Sequence, residues 1–231
     1  MPHPGAESIN PQSTTSGALA DYLTPATFGG RRAGRATAMA NATGGDPSFN
    51  LRHPMTSHFA VGVPAALAGG AAGYFAGDVM NHGDNMSRVG GALLGAGAAT
   101  LLAHILQVSS RRGEMQDIND RFDRTKKLDP KRPGYTALDV LGGTGGSHRM
   151  GQIEALKAMT GGKPNEGGAA TDTVRTGLGV AGSIPVVGPV AGLANFGTGI
   201  GQGASAVEAE ENDPKIRSLK VASVLRRLLA R

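Results

Sequence analysis

The chain has 231 residues, enough for one or two domains, and a net charge of +5. It holds 37 Gly, 6 Phe and 3 Tyr, with no Trp and no Cys. That excludes disulfides, thiolate metal sites and a Cys nucleophile, and leaves few of the large side chains that fill a conventional core. Much of the apolar fraction is Ala, which buries little area. Close packing of small-residue helices, or extended segments lying on a partner, fits this composition better than a tight globular enzyme.

Residues 1–50 are rich in Pro, Ser, Thr, Gly and Asn and show no apolar period. They read as an extended or disordered arm that a partner would order. The opening "MPHPGAESINPQSTTSGALADYL" lacks the basic-then-apolar layout of a secretory signal. Positive charge gathers at "RRAGR" (31–35), "RTKKLDPKR" (124–132) and "RSLKVASVLRRLLAR" (217–231). Such clusters suit nucleic acid or anionic headgroups, or are plain solvated surface.

Residues 51–129 change character. "FAVGVPAALAGGAAGYFAG" (59–77) has no charged residue, and in "VGGALLGAGAATLLAHILQV" (89–108) only His104 could carry charge. Each run is about as long as a hydrocarbon layer is thick when helical, and the short link between them makes a helical hairpin. Small residues recur every four positions: Gly69, Gly73 and Gly77 in one run, Gly91, Gly95 and Ala99 in the other. On a helix these form one stripe along which two backbones approach closely. Interface aromatics are sparse, which favours conditional insertion, or a soluble buried hairpin, over a constitutive anchor. Arg111 and Arg112 follow the second run, at a lipid boundary or a helix end. Met115, Ile118 and Phe122 then mark an amphipathic helix that Asp129-Pro130 stops.

Residues 130–175 read as Gly-rich loops around a short helix, "HRMGQIEALKAM". Residues 176–231 hold an apolar hairpin whose turn is set by Pro185, Gly188 and Pro189. A basic amphipathic helix starting at Asp213-Pro214 follows, with Arg217, Lys220, Arg226, Arg227 and Arg231 on its polar side. The expected fold class is mainly α: Gly/Ala-rich helical hairpins and amphipathic helices joined by long irregular segments, with an extended N-terminal arm.

"GLGVAG" (177–182) matches a bare dinucleotide-binding pattern. It lacks the preceding apolar strand and the acid about 20 residues on that such a site requires. "GGTGGSHR" lacks the Lys-Ser/Thr of a phosphate loop. Asp78, His82 and Asp84 lie close in sequence and read as a polar link rather than a metal site. No Ser, His and acid stand at a recognisable motif spacing. No catalytic residue, cofactor, metal or small-molecule substrate is therefore assigned.

The segment "VGVPAALAGGAAGYFAG…VGGALLGAGAATLLAHIL" running into "RRGEMQDINDRF" resembles the small internal virion proteins of short-tailed bacteriophages, over residues 59–124. The resemblance implies synthesis in the bacterial cytoplasm, packaging in the virion, and assembly of a conduit for DNA across the host cell envelope. Gly69, Gly73, Gly77, Gly91 and Gly95 would then mediate helix packing. Arg111, Arg112 and the helix from Arg217 to Arg231 would face DNA or lipid headgroups. The implied partners are further copies of the chain, other virion proteins, the DNA backbone and the bacterial membrane. Two alternatives are a structural tail, portal or capsid-lining protein without lipid contact, and a pore-forming or holin-like protein.

Overall fold

The computed structural model describes residues 21–22, 28–80, 84–125, 127–130, 145–162, 167–182 and 188–219. Among them every regular element is a helix and no strand occurs. The helices are α1 (Phe28–Ala42), α2 (Phe49–Arg52), α3 (Pro54–Met80), α4 (Asn85–Arg124), α5 (Gly145–Met159), α6 (Gly167–Gly182) and α7 (Gly188–Asn212). A short helical stretch covers 214–219. The chain divides into two compact units, Met1–Met55 with Arg112–Arg231, and Thr56–Arg111.

In the larger unit α1 lies along α5, and α7 packs on both α5 and α6. Missing side chains make the first of these contacts close. A Cβ on Gly34 would run into the His148 carbonyl oxygen, and one on Gly151 into that of Arg31. A Cβ on Gly146 would likewise meet Gly199 O and lie 2.9 Å from Gly203 N. With backbones this near, alanines suffice to fill the gap. Ala33, Ala36, Ala40, Ala155 and Ala158 are buried beside Met39, Leu51, Met115, Ile118 and Phe122. A second cluster joins Met150, Ile153, Leu156, Ala206 and Ile216. Each fully buried large side chain contributes roughly 1.5–3 kcal/mol.

Local signals close the helices. Ser48 caps α2 by accepting from Leu51 N at 3.2 Å, and its own amide donates to Glu114 Oε1 at 2.6 Å. Gly44 and Gly161 adopt positive φ, 74° and 75°. In each case the next amide reaches back five residues, Gly45 N to Ala40 O at 2.8 Å and Gly162 N to Lys157 O at 2.6 Å, the helix-ending turn that favours glycine. Asp213 caps 214–219 by accepting from Lys215 N at 2.9 Å.

The interior of this unit is also charged. Asp172 on α6 is fully buried and gathers donors from three other helices. Arg31 Nε of α1 donates to its Oδ2 at 2.6 Å. The Ser147 hydroxyl of α5 and the Gln202 amide of α7 donate to its Oδ1 at 2.7 and 2.9 Å. Arg31 also pairs with Glu154, which takes Arg35 on its other oxygen at 2.8 Å. Arg175 donates to Ser147 Oγ and Gln202 Oε1 at 2.8 and 2.7 Å. Burial pulls this guanidinium below its ordinary pKa, against the opposing pull of Asp172. Arg149 pairs with Glu210.

Three expectations change here. Residues 28–42 are not extended: they form a helix whose alanines and Arg31 are buried. "RRAGR" is not a surface patch, because Arg31 and Arg35 are spent on Glu154 and Asp172, and Arg32 Nε donates to Asp21 at 2.9 Å. The amphipathic helix of Met115, Ile118 and Phe122 is no separate element but the end of the 40-residue α4.

Adding one methyl at Gly151 forces backbone atoms apart, so Gly151→Ala should destabilise by about 1–3 kcal/mol or more. At Gly201, where an added Cβ meets nothing within 4 Å, Gly201→Ala should stabilise by roughly 0.5–1 kcal/mol. Urea unfolding followed by far-UV circular dichroism reads both signs. Asp172→Ala takes away the buried carboxylate that accepts from Arg31, Ser147 and Gln202 and should cost about 3–5 kcal/mol in the same measurement.

Candidate functional site

The smaller unit, Thr56–Arg111, is a hairpin of α3 and the first part of α4. Its helices hold many glycines, each costing roughly 1 kcal/mol against Ala, and Pro64 interrupts the amide ladder of α3. Helices of this composition depend on tertiary contact. The glycines supply it. A Cβ on Gly73 would meet the Gly91 carbonyl oxygen, and one on Gly91 the Gly73 carbonyl oxygen. Gly69 and Gly95 oppose each other in the same reciprocal way, with the Ala99 methyl against Gly69. Gly77 lies against the Ser87 carbonyl, and a Cβ there would stand 3.2 Å from Arg88 Cα. The six helix-packing residues read from the sequence, Gly69, Gly73, Gly77, Gly91, Gly95 and Ala99, thus lie along one seam.

Because the seam takes only small residues, the large ones point away from it. Leu67, Phe75, Val79, Leu93, Leu94 and Leu102 are exposed, Leu94 by 77%. By length and composition both helices could cross a membrane, with mean hydropathy 1.4 in an 18-residue window of Thr56–Met80 and 1.7 in one of Asn85–Arg124. The usual distribution of a water-soluble hairpin, large apolar inside and polar outside, is inverted.

Charged groups among the described residues of the hairpin are confined to its two ends. Near the link, Arg88 Nε donates to Asp78 Oδ1 at 2.7 Å and its guanidinium stands 5.8 Å from the Tyr74 ring centre. Asp84 caps α4, accepting from the Ser87 amide at 3.0 Å and hydroxyl at 3.1 Å. At the other end Gln107 Nε2 donates to Ser57 O at 2.6 Å, and the His58 and His104 rings lie 5.2 Å apart. These end contacts were not singled out from the sequence. The signal was present: the register that sets Gly73 against Gly91 also sets Ser57 against Gln107.

The remaining sequence-derived residues fare unevenly. Pro185 lies outside the described residues, while Gly188 and Pro189 open α7, where a first-turn Pro is tolerated. Arg111 is buried, which corrects its assignment to a headgroup-facing or DNA-facing surface. Arg112 is half-buried, 3.6 Å from Asp21 and stacked 5.6 Å from the Tyr22 ring centre. Arg217 is exposed. Lys220, Arg226, Arg227 and Arg231 lie outside the described residues. "GLGVAG" forms the last turns of α6, not a strand–loop–helix cradle. Ser147 and His148 are adjacent and buried, but His148 Nε2 is held by Leu51 O at 3.0 Å and Ser147 by Asp172.

The Ser87 amide, and after it the Ser87 hydroxyl, hold the Asp84 carboxyl below its ordinary pKa. A folded-state value lowered in this way means the cap's stabilisation is whole above the unfolded carboxylate pKa. It is lost as pH falls through the lower folded value. A carbon-13 NMR titration should place Asp84 below an unstructured Asp, and Ser87→Ala should recover part of the difference. A titration at the free-peptide value would refute the cap.

No family model, no curated protein and no solved structure matches this chain.

Proposed function

We propose that the chain is a non-enzymatic structural protein of a bacteriophage particle that assists genome delivery, with its small-residue hairpin entering the host membrane. The observation that carries the membrane step is the inverted hairpin: small residues in the seam, Leu67, Leu93, Leu94 and Leu102 outward. Lipid satisfies that outer surface, while the seam needs no hydrophobic driving force because backbone packing suffices. Charged groups standing only at the two ends suit a helix pair whose middle lies in hydrocarbon. The particle setting is supported by the resemblance of residues 59–124 to small internal virion proteins of short-tailed phages. A structural role is in keeping with the use of Ser147, His148, Glu154 and Asp172 in packing.

A second reading, in which helices of another virion subunit cover the hairpin, is favoured by the modest hydropathy of α3 and by Pro64 within it.

Flotation of the full chain with neutral phosphatidylcholine vesicles tests the membrane step. The wild-type chain should float. Leu94→Glu with Leu101→Glu should lower the lipid-bound fraction at least about tenfold, since each buried acid costs several kcal/mol. The urea midpoint of the larger unit should not move. A wild-type chain that ignores vesicles, yet forms discrete oligomers that the double variant dissolves, would replace lipid by protein. The particle setting is checked by mass spectrometry of purified phage whose genome encodes the chain, and absence from the particle would overturn it.

A further inference from the structure

The hairpin joins the rest of the chain at one end only. Thr56 and Arg111 bound the smaller unit, and the Gln107–Ser57 hydrogen bond brings those two ends together. At the opposite end a short link, 81–84, connects α3 to α4. Charge among the described residues there is small and largely matched. Asp78 and Arg88 form an ion pair at 2.5 Å, and the Asp84 carboxylate caps α4. The large side chains flanking the link are apolar and outward: Val79, Met80 and Met86 are exposed, Met80 by 81%. One turn before Asp78 the exposed Tyr74 and Phe75 rings stand 5.9 Å apart. The larger unit is the opposite in kind. On α4 alone it exposes Asp117, Asp120, Arg121, Asp123 and Arg124, a load of charge that hydrocarbon does not admit.

We infer that the link is a membrane-crossing tip. The hairpin enters the bilayer link first and spans it, leaving Asp78, Asp84 and Arg88 in water on the far side while the larger unit stays on the side of entry. This rests on the membrane step proposed above and gives it a direction. Length matches the crossing. At ~1.5 Å per residue, His58 to Asp78 on α3 rises about 30 Å and Arg88 to Arg111 on α4 about 35 Å, against a hydrocarbon core of about 30 Å. A helix lying flat in the interface needs a strongly polar face. Between His58 and Asp78 no residue is charged, and between Arg88 and Arg111 only His104 can be. The two helices therefore span rather than lie flat. Direction follows from what each end must carry through. The link takes with it a pair whose charges cancel and one carboxylate, behind a front of Val79, Met80 and Met86. The other end is tethered to the larger unit through both joins and stays behind. After crossing, Tyr74 and Phe75 come to rest near the far interface, the depth such rings favour, and Phe59 near the side of entry.

The absence of cysteine makes the test clean. One thiol is placed at the tip, Asn85→Cys, or at the other end, Ser110→Cys; both positions are exposed. Each full-length variant is added from outside to phosphatidylcholine vesicles, and floated chains are treated with a charged maleimide, either outside or trapped in the lumen. The trapped reagent should label Asn85→Cys at least about tenfold more than Ser110→Cys, and the external reagent the reverse, because a charged reagent does not pass hydrocarbon. Met86→Cys, also exposed at the tip, decides the matter if Asn85→Cys fails to float. Tip thiols that react from outside, or from neither side, on chains that do float would overturn the crossing and leave the membrane step intact. Chains of every variant and of the wild type that stay off the vesicles refute the membrane step, and the tip with it.

Discussion

Helix backbones in this protein touch, and the rest of its architecture follows from that contact. Where Gly73 faces Gly91 and Gly34 faces His148, nothing larger than hydrogen stands between one helix and the next carbonyl. Such approach brings Cα–H groups against carbonyl oxygens, each contact contributing about 0.5–1 kcal/mol, and brings long stretches of main chain within dispersion range. It also removes the space in which large side chains would interdigitate. In the hairpin the displaced leucines go outward. In the larger unit alanines close the remaining gap and polar side chains fill the interior.

The larger unit shows the cost of so little apolar bulk. Its centre is a carboxylate, Asp172, that receives a guanidinium, a hydroxyl and an amide from three other helices. Buried ion pairs often stabilise little on balance, because desolvation offsets the Coulomb gain. Their geometric demand is strict, however. An Ala-lined helix slides along its neighbour with small penalty, and a four-helix hub at Asp172 fixes one register. Glu154, held by Arg31 and Arg35 one turn apart, does the same for α1 on α5. Apolar contact thus holds the helices together and the buried charges set how they align.

The limits of the sequence reading follow from the range over which each signal acts. The hairpin was legible because its evidence is local: two uncharged runs, a short link, and small residues every four positions. Its glycine seam lies where that spacing put it. Helix α1 was missed for the opposite reason. "FGGRRAGRATAMANA" has three arginines and no large aliphatic residue except Met39, so by local pattern it is a polar arm. The acids that let Arg31 go inside are 123 and 141 positions away, and no local window contains them. Gly146 falls in a stretch expected as loop and Gly151 inside the expected short helix, yet both are contact points whose partners, Gly199 and Arg31, lie far off in the chain.

Those buried arginines also alter what the net charge means. A formal +5 invites contact with nucleic acid or anionic lipid, but a guanidinium committed to a buried carboxylate projects little field into solvent. Arg31, Arg35 and Arg149 are committed in this way, and Arg175 is closed in by Ser147 and Gln202. Attraction to phosphate then falls to exposed groups such as Arg121, Arg124 and Arg217, several of them beside acids of their own helices. The outward leucines of the hairpin have no such internal partner. Among the described residues, then, part of the positive charge is spent inside the larger unit, whereas the large apolar side chains of the hairpin are left on the outside.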